Sequence, residues 1–343
     1  MMKEHPPEKE MSQEDKANVA ETVPFLFLQE AGAYLDTILP LLKEDRPDAV
    51  IHDFAALAGT IAADALNLVN IMIFPTYPSN DSFSIAGYFE DRIKDHPMIQ
   101  AADQLADLYV EKYGCRKLTV REIFDGHGEF NVVLIQKRFL PEADRFDNTY
   151  VFTGAQIGER PSFGSWKAKE DDRPLVYSSF GTTFTNWPEY YPILFEAVRD
   201  LDLHVVASLG EVDPASLSDI PKNTELVPMV SQLDILSRTS VFITHAGMGS
   251  VGEAIYYGVP MIALPQMEEQ VLTAGLIEQN GLGISFPEKN KLTADDLKTA
   301  IVRILKDPSY RRKAEEFRDD MKSLGGAKAA ADAIMNYIRD SKA

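Results

Sequence analysis

The run from Val241 to Gln270, VFITHAGMGSVGEAIYYGVPMIALPQMEEQ, limits the fold more than any other part of the chain. Val241–Thr244 reads as a short buried strand. From His245 to Ser250 there are two glycines and too few bulky side chains for a core. Glu253–Tyr257 reads as helix, and Gly258 stands where a helix C-terminal glycine belongs. Val259–Leu264 is the next strand, ended by Pro265. A strand that feeds a glycine-rich turn at a helix N-terminus points backbone N–H groups outward, and the helix dipole favours negative charge there. The turn therefore predicts a phosphate-bearing ligand.

The same alternation runs along the rest of the chain. After this run, apolar spacing predicts helices over about 269–279, 294–305, 309–323 and 327–339. Before it come strands at Leu175–Ser178, His204–Ala207 and Glu225–Val227 and a helix at Glu189–Val198. Nearer the N-terminus, Phe25, Leu28, Leu35, Ile38, Leu39 and Leu42 mark an amphipathic helix, kinked at Pro40 and ended before Pro47. Strands follow at Ala49–Ile51, Val69–Phe74 and Asn131–Ile135, with helices at Ala55–Leu66 and Leu105–Tyr113. Residues 1–20 read as a polar tail. Apolar strands alternating with helices mean parallel sheets covered on both faces. With 343 residues the chain is long for one core. The expectation is an α/β protein with two Rossmann-like parallel-sheet domains: 1–155, a glycine- and proline-bearing linker over 156–172, and 173–343.

Composition removes several functions. The net charge is −19, which disfavours nucleic acid and anionic lipid as partners. An anionic ligand must then be held by local dipoles. Cys115 is the only cysteine, so no intrachain disulfide forms and a reducing compartment fits. No apolar leader is visible at the N-terminus, and a cytoplasmic location is expected. Phe54–Phe74 is the one stretch worth testing as a membrane span, but Asp64, Asn67 and Asn70 interrupt it. A helix followed by a buried strand fits better, with no stable membrane insertion. Asp200 and Asp202 form a D-x-D triplet at a helix-to-strand boundary and read as solvated. No cluster has metal-ligand spacing, so no metal is expected.

Gly247, Gly249 and Gly252 satisfy G-x-G-x-x-G, and Glu268 and Glu269 lie near the spacing of an acidic ribose ligand. That pattern suggests a nicotinamide enzyme. Two features weigh against it. The motif falls after several β-α units of its domain, and His245 crowds the same phosphates.

The stretch His245-Ala-Gly-Met-Gly-Ser-Val-Gly-Glu253, then Gly258-Val-Pro260 and Pro265-Gln-Met-Glu-Glu-Gln270, resembles the donor-binding signature of family-1 nucleotide-sugar glycosyltransferases. The macrolide and flavonoid branch of bacteria is the nearest in pattern. Ser179-Phe-Gly-Thr182, Gln232-Leu-Asp-Ile-Leu236 and Pro47-Asp48…His52-Asp53 resemble further parts of that family. The resemblance runs from about Phe25 to the C-terminus. It implies a GT-B fold, whose final helix crosses back to the first domain. It also implies transfer of a hexose, glucose by preference, with inversion, from a UDP-sugar to a hydroxyl of a hydrophobic small molecule. The UDP-sugar is a co-substrate, so no cofactor is expected.

Roles follow from the same resemblance. His245, Gly247, Gly249 and Ser250 would hold the donor diphosphate, with Thr182 facing them. Glu253 would accept from the ribose hydroxyls, and Glu269 and Gln270 would bind hydroxyls of the sugar. Met229, Val230 and Gln232 would border the base. Met229 stands where many relatives have a stacking tryptophan, which leaves uracil or thymine open. Plainer alternatives stand beside these: Glu253 and Glu269 as solvated residues, His245 as a structural histidine, Thr182 as a turn residue.

Catalysis by that family needs a histidine base oriented by an aspartate. Asp53 resembles the aspartate, and the histidine has no counterpart. His52 points away from Asp53 along a strand. His5, His96, His204 and His245 do not substitute convincingly, and His127 is the least excluded. The family's first strand, loop and helix are missing, which suggests a truncated product or incomplete gene model with an incomplete first domain. The rival readings are a non-catalytic nucleotide-sugar-binding remnant and a UDP-sugar epimerase.

Overall fold

The computed structural model describes residues 19–84, 87, 96–158, 165–167, 171–182 and 185–342. The tail at 1–18 with His5, the linker stretches 159–164 and 168–170, and Thr183 lie outside these residues. Two compact units are present: the described residues of Met1–Val133, Pro141–Val151 and Ala331–Ala343, and those of Leu134–Leu140 and Phe152–Ala330.

In the first unit, α1 (Val19–Asp45) leads to β1 (Ala49–Asp53), α2 (Leu57–Leu66), β2 (Val69–Phe74), α3 (Pro97–Tyr113), α4 (Val120–Asp125), β3 (Phe130–Val133) and β4 (Tyr150–Phe152). The sheet order is β1-β2-β3-β4. β1 and β2 pair in parallel, Ile51 opposite Ile71, and β2 pairs in parallel with β3, Ile71 opposite Phe130. α1 runs through Pro40 and stops at Asp45, before Pro47. Its Leu28, Ala31, Leu35 and Leu39 recur at helical spacing and are buried with Leu57 and Ile61 of α2 and Ala102 and Ala106 of α3. The Tyr109 hydroxyl donates to the Leu28 carbonyl at 2.8 Å, tying α3 to α1.

Several boundaries depart from the sequence expectation. Phe54–Phe74 divides into α2 and β2, as expected of it. Among the described residues, the helix long and apolar enough to cross a membrane is instead Thr22–Asp45 of α1. In this fold its apolar stripe faces α2 and α3. α3 starts at Pro97, with proline in the first turn after an N-cap at His96. α4 was not expected, although Thr119-x-x-Glu122 is a complete capping box in which side chain and backbone bond reciprocally. In the C-terminal helix α11 (Gly326–Asp340), the residues from Ala331 on belong to the first unit. There Tyr337 stacks on Phe130, ring centres 4.6 Å apart, and Lys342 pairs with Asp48.

The second unit carries β5 (Leu175–Ser179), α5 (Tyr190–Val198), β6 (His204–Ser208), β7 (Thr224–Val227), α6 (Gln232–Leu236), β8 (Val241–Thr244), α7 (Met248–Tyr257), β9 (Met261–Ala263), α8 (Glu268–Gln279), β10 (Gly283–Ser285), α9 (Ala294–Lys306) and α10 (Pro308–Ser323). Its six strands lie in the order β10-β9-β8-β5-β6-β7, each pair parallel. The strands read as unbroken apolar runs because both faces are covered. Val176, Val205, Ile243 and Ile262 share one core with Leu194 and Val198 of α5 and Leu297 and Ile301 of α9. The order has a consequence for binding. From β5 the chain winds outward through β6 and β7, then returns to β8 on the other side of β5. The carboxyl ends of β5 and β8 thus form the topological switch point, where open α/β sheets bind ligands.

Candidate functional site

A cavity of about 370 Å³ opens at that switch point. The end of β5 and the turn after it supply Ser179, Gly181 and Thr182, the turn after β8 and the first turn of α7 supply His245, Gly247, Gly249 and Ser250, and the segment from β7 to the start of α6 supplies Met229, Val230 and Gln232. Glu253 lies one turn into α7 and closes the floor. Thr182, Met229, Val230, Gln232, His245, Gly247, Gly249, Ser250 and Glu253, separated by up to 71 positions in the chain, therefore line one pocket. α7 begins at Met248, five residues before the helical run read from sequence. Glycines at Gly249 and Gly252 weaken the helix signal, and packing of Val251, Ala254 and Ile255 overrides it. Gly247 is its N-cap and supplies no side-chain cap bond. The first-turn N–H groups of α7 have no intrahelical acceptor and carry the positive end of the dipole. A Cβ added at Gly249 would meet nothing within 4 Å, so the pocket side of this turn is open.

The turn is bent by Ala246, a buried non-glycine residue at φ 65°. That left-handed conformation costs on the order of 1 kcal/mol. It brings the His245 ring against Gly181, where a Cβ would sit 2.8 Å from the imidazole Cε1. Gly181 itself has φ 78°. Nδ1 of His245 is buried without a hydrogen-bond partner among the described residues. Burial lowers its pKa to about 4. His245 is thus neutral at pH 7.

The unfolded chain takes up this proton near pH 6.5, and the folded chain only near pH 4. Between these values the unfolded state binds more protons, so stability rises with pH. The contribution is complete above pH 6.5 and is lost as pH falls towards 4. Its slope is bounded by about 1.4 kcal/mol per pH unit. In His245→Asn, urea midpoints measured from pH 4 to 7 are expected to fall less steeply on acidification than in the parent. Parallel profiles would contradict this account.

Glu253 is buried at 5% exposure. Its Oε2 accepts from Gln232 Nε2 at 2.7 Å, and the same amide lies 3.3 Å from the Ser250 hydroxyl. The Tyr177 hydroxyl donates to Gln232 Oε1 at 3.5 Å. The Tyr177 ring stacks on Phe242 at 5.2 Å and 9°, locked between β5 and β8. Burial pushes its hydroxyl up to about 12, so it remains a donor. Ser179, the first residue of the Ser179-Phe-Gly-Thr182 motif, also lines the pocket, as do Tyr177 and Ser208, which the sequence analysis does not single out. Tyr177 reads there as one more core residue of an apolar strand. Its polar tip at the carboxyl end of β5 was the available signal.

Other candidates lie elsewhere. Glu269 and Gln270 open α8 and do not line the cavity. Gln270 is buried, and its Oε1 accepts from the Gln266 N–H at 2.8 Å. Asp53 ends β1 in the first unit, exposed, with Oδ1 accepting from the Ala55 N–H at 2.9 Å. His52 is buried on the other face, at hydrogen-bond distance from the Asp53 carbonyl and the Asn70 side chain. His96 caps α3, His127 meets the Tyr150 hydroxyl at 3.1 Å, and His204 is buried 3.6 Å from Glu225. None of these histidines bonds the Asp53 carboxylate. Among the described residues no group of three His, Cys, Asp or Glu side chains could hold a metal ion.

Known proteins of similar sequence and fold can be set beside this chain. Residues 192–334 match the family model for the C-terminal domain of erythromycin biosynthesis protein CIII-like proteins. The chain is 35% identical over 319 residues to the NDP-glycosyltransferase YjiC of Bacillus subtilis (strain 168), spanning 93% of this chain and 80% of that protein. It is 29% identical to the oleandomycin glycosyltransferase of Streptomyces antibioticus, over 90% of this chain and 72% of that one. Among solved structures, the glycosyltransferase of kitacinnamycin superposes with a TM-score of 0.85 at 27% identity, covering 97% of this chain and 86% of that one. The calicheamicin glycosyltransferase CalG4 superposes with a TM-score of 0.80 at 25% identity, covering 96% and 85%.

Proposed function

The chain belongs to the family-1 glycosyltransferases of GT-B fold, and from that premise we propose that it moves a hexose, glucose by preference, from a UDP-sugar to a hydroxyl of a hydrophobic small molecule such as a macrolide or flavonoid, with inversion at the anomeric carbon. One observation supports this above the others. The switch-point cavity pairs an anion-binding helix end at Gly247–Ser250 with a buried carboxylate, Glu253. A nucleoside diphosphate needs both: donors for its phosphates and an acceptor for its ribose hydroxyls.

In this reading the N–H groups at the start of α7, the Ser250 hydroxyl and the His245 imidazole hold the diphosphate. Gly181 and Thr182 close the other side. Met229 and Val230 border the base. The acceptor oxygen gives up its proton to a base and attacks the anomeric carbon. The bond from that carbon to the diphosphate breaks, and UDP carries the electron pair away. The dipole and His245 stabilise the charge that develops on the leaving phosphate.

The Asp53 carboxylate bonds a backbone N–H and, among the described residues, no histidine. That contact favours a second reading, a protein that binds nucleotide-sugars without transfer. Calorimetric titration with UDP tests the part common to both, and one-site saturable binding is expected. Incubation with UDP-glucose and a phenolic acceptor separates them. UDP release coupled to glucoside formation supports the transferase; binding without turnover supports the second reading. A folded chain that ignores UDP would remove both.

A further inference from the structure

Met229 lines the donor cavity and is 49% exposed. Resting on the donor reading above, we propose that Met229 is a site of reversible oxidation that controls nucleotide binding. A peroxide converts its thioether to the sulfoxide, and the oxidised side chain no longer seats the base.

Thioether oxidation follows exposure, because the peroxide must reach the sulfur. Among the described methionines, Met229 and Met335, the latter at 55%, are the exposed ones. Met248, the other thioether of the cavity, is 7% exposed, and Met72, Met261 and Met321 are buried. Met335 stands on α11 and does not line the cavity. Of the described methionines, Met229 is thus the one that joins an accessible sulfur to the site. It is also held there. The Leu209 N–H donates to the Val227 carbonyl at 2.9 Å, and the Ser208 hydroxyl donates to the Pro228 carbonyl at 3.2 Å. On the other side of Met229, the Gln232 amide donates to Glu253 of α7. The backbone around Met229 is therefore pinned at both ends, and its thioether stays at the cavity wall.

In the oxidation the sulfur lone pair attacks one oxygen of hydrogen peroxide. The O–O bond breaks, the S–O bond forms, and the second oxygen leaves as water. Sulfur loses two electrons and the peroxide gains them. A thioether offers a base an apolar, polarisable surface. A sulfoxide is polar and a strong acceptor, and it is hydrated in the free cavity. The face of a pyrimidine brings it no donor, so seating the base strips that water without replacing it. The return step needs a dithiol, which removes the oxygen as water and becomes a disulfide. Cys115 is the only cysteine of the chain and is buried, so the dithiol comes from a methionine sulfoxide reductase.

Treatment of the full chain with dilute hydrogen peroxide, followed by peptide mass spectrometry and calorimetric titration with UDP, tests the proposal. Met229 and Met335 are expected to gain oxygen ahead of the buried methionines, and saturating UDP is expected to protect Met229 and not Met335. The UDP dissociation constant is expected to rise by roughly 5- to 30-fold as Met229 is oxidised. Methionine sulfoxide reductase with dithiothreitol should return it to its starting value. Met229→Leu has no sulfur at this position and should keep its own affinity through the treatment, whereas Met335→Leu should lose affinity as the parent does. Met229 that stays reduced after Met335 is oxidised overturns the proposal. So does oxidation of Met229 at the same rate with and without UDP, or with no change in affinity. A loss shared by Met229→Leu, or one that persists once Met229 is reduced again, places the damage elsewhere and overturns it too. Failure of the untreated, folded parent to bind UDP overturns the donor reading and this proposal with it; UDP binding that is indifferent to Met229 oxidation overturns the proposal alone.

Discussion

Glu253→Ala is expected to weaken UDP binding by roughly 30- to 150-fold, from the loss of about 2–3 kcal/mol of charge-assisted hydrogen bonding. The carboxylate is buried at the floor of the cavity, one turn into α7. It is the anionic acceptor among the described lining residues; the others offer hydroxyl, amide, imidazole, thioether or backbone groups. The loss is expected to fall on affinity and not on folding. Gln232 loses its charged acceptor but borders the open cavity, where water replaces it. Glu253→Gln keeps the volume and removes the charge, and should fall between the parent and the alanine variant. Calorimetry gives the affinities, and circular dichroism with urea midpoints checks the fold. An unchanged dissociation constant in a folded Glu253→Ala chain would show that the carboxylate faces no ligand hydroxyl.

The largest effect on stability is expected at Gly283 in β10. A Cβ there would lie 1.9 Å from the Met261 carbonyl oxygen and 3.1 Å from a methyl of Ile277. The first neighbour is backbone of β9, paired with β10 in register at this position. It cannot turn aside as a side chain would. Gly283→Ala must push β10 out of its ladder or bend β9, whose Met261, Ile262 and Ala263 are fully buried. A cost of about 3 kcal/mol or more is expected, at the upper end for overpacking. Gly275 provides the contrast. It lies inside α8, exposed, with nothing within 4 Å of its would-be Cβ. Gly275→Ala is expected to stabilise by about 0.5–1 kcal/mol through helix propensity. Urea unfolding of both variants measures the pair. Equal shifts of one sign would show that chain entropy, and not the contact with Met261, governs these positions.

What could be read from the chain, and what could not, divides along physical lines. Long apolar periodicities survived translation into structure: β2 at Val69–Phe74, β8 at Val241–Thr244 and α9 from Ala294 emerge as their patterns require. Elements with little apolar signal did not. β10 is three residues with a glycine at its start, and it is a strand because β9 offers it an open edge. β4 is three residues, none fully buried. α4 carried a local signal in Thr119 and Glu122, legible from hydrogen-bonding rules and not from periodicity. The start of α7 was hidden for the opposite reason. Glycine discourages helix locally, yet the glycines that do so leave the backbone of its first turn open to the cavity.

The alternation of strand and helix, hence a parallel sheet, and the glycine turn that ends β8 are legible in the residues alone. Both depend on local forces: apolar spacing, glycine's freedom and the dipole of one helix. Which separate turns meet depends on the folded sheet. Strand order brings β5 beside β8, and so Gly181 against His245 and Tyr177 against Phe242. Strand order is a property of the whole packed sheet, set by how every helix covers it. The burial that holds His245 neutral, and the amide that holds Glu253 before any ligand arrives, follow from that order. Neither is written in the residues adjacent to them.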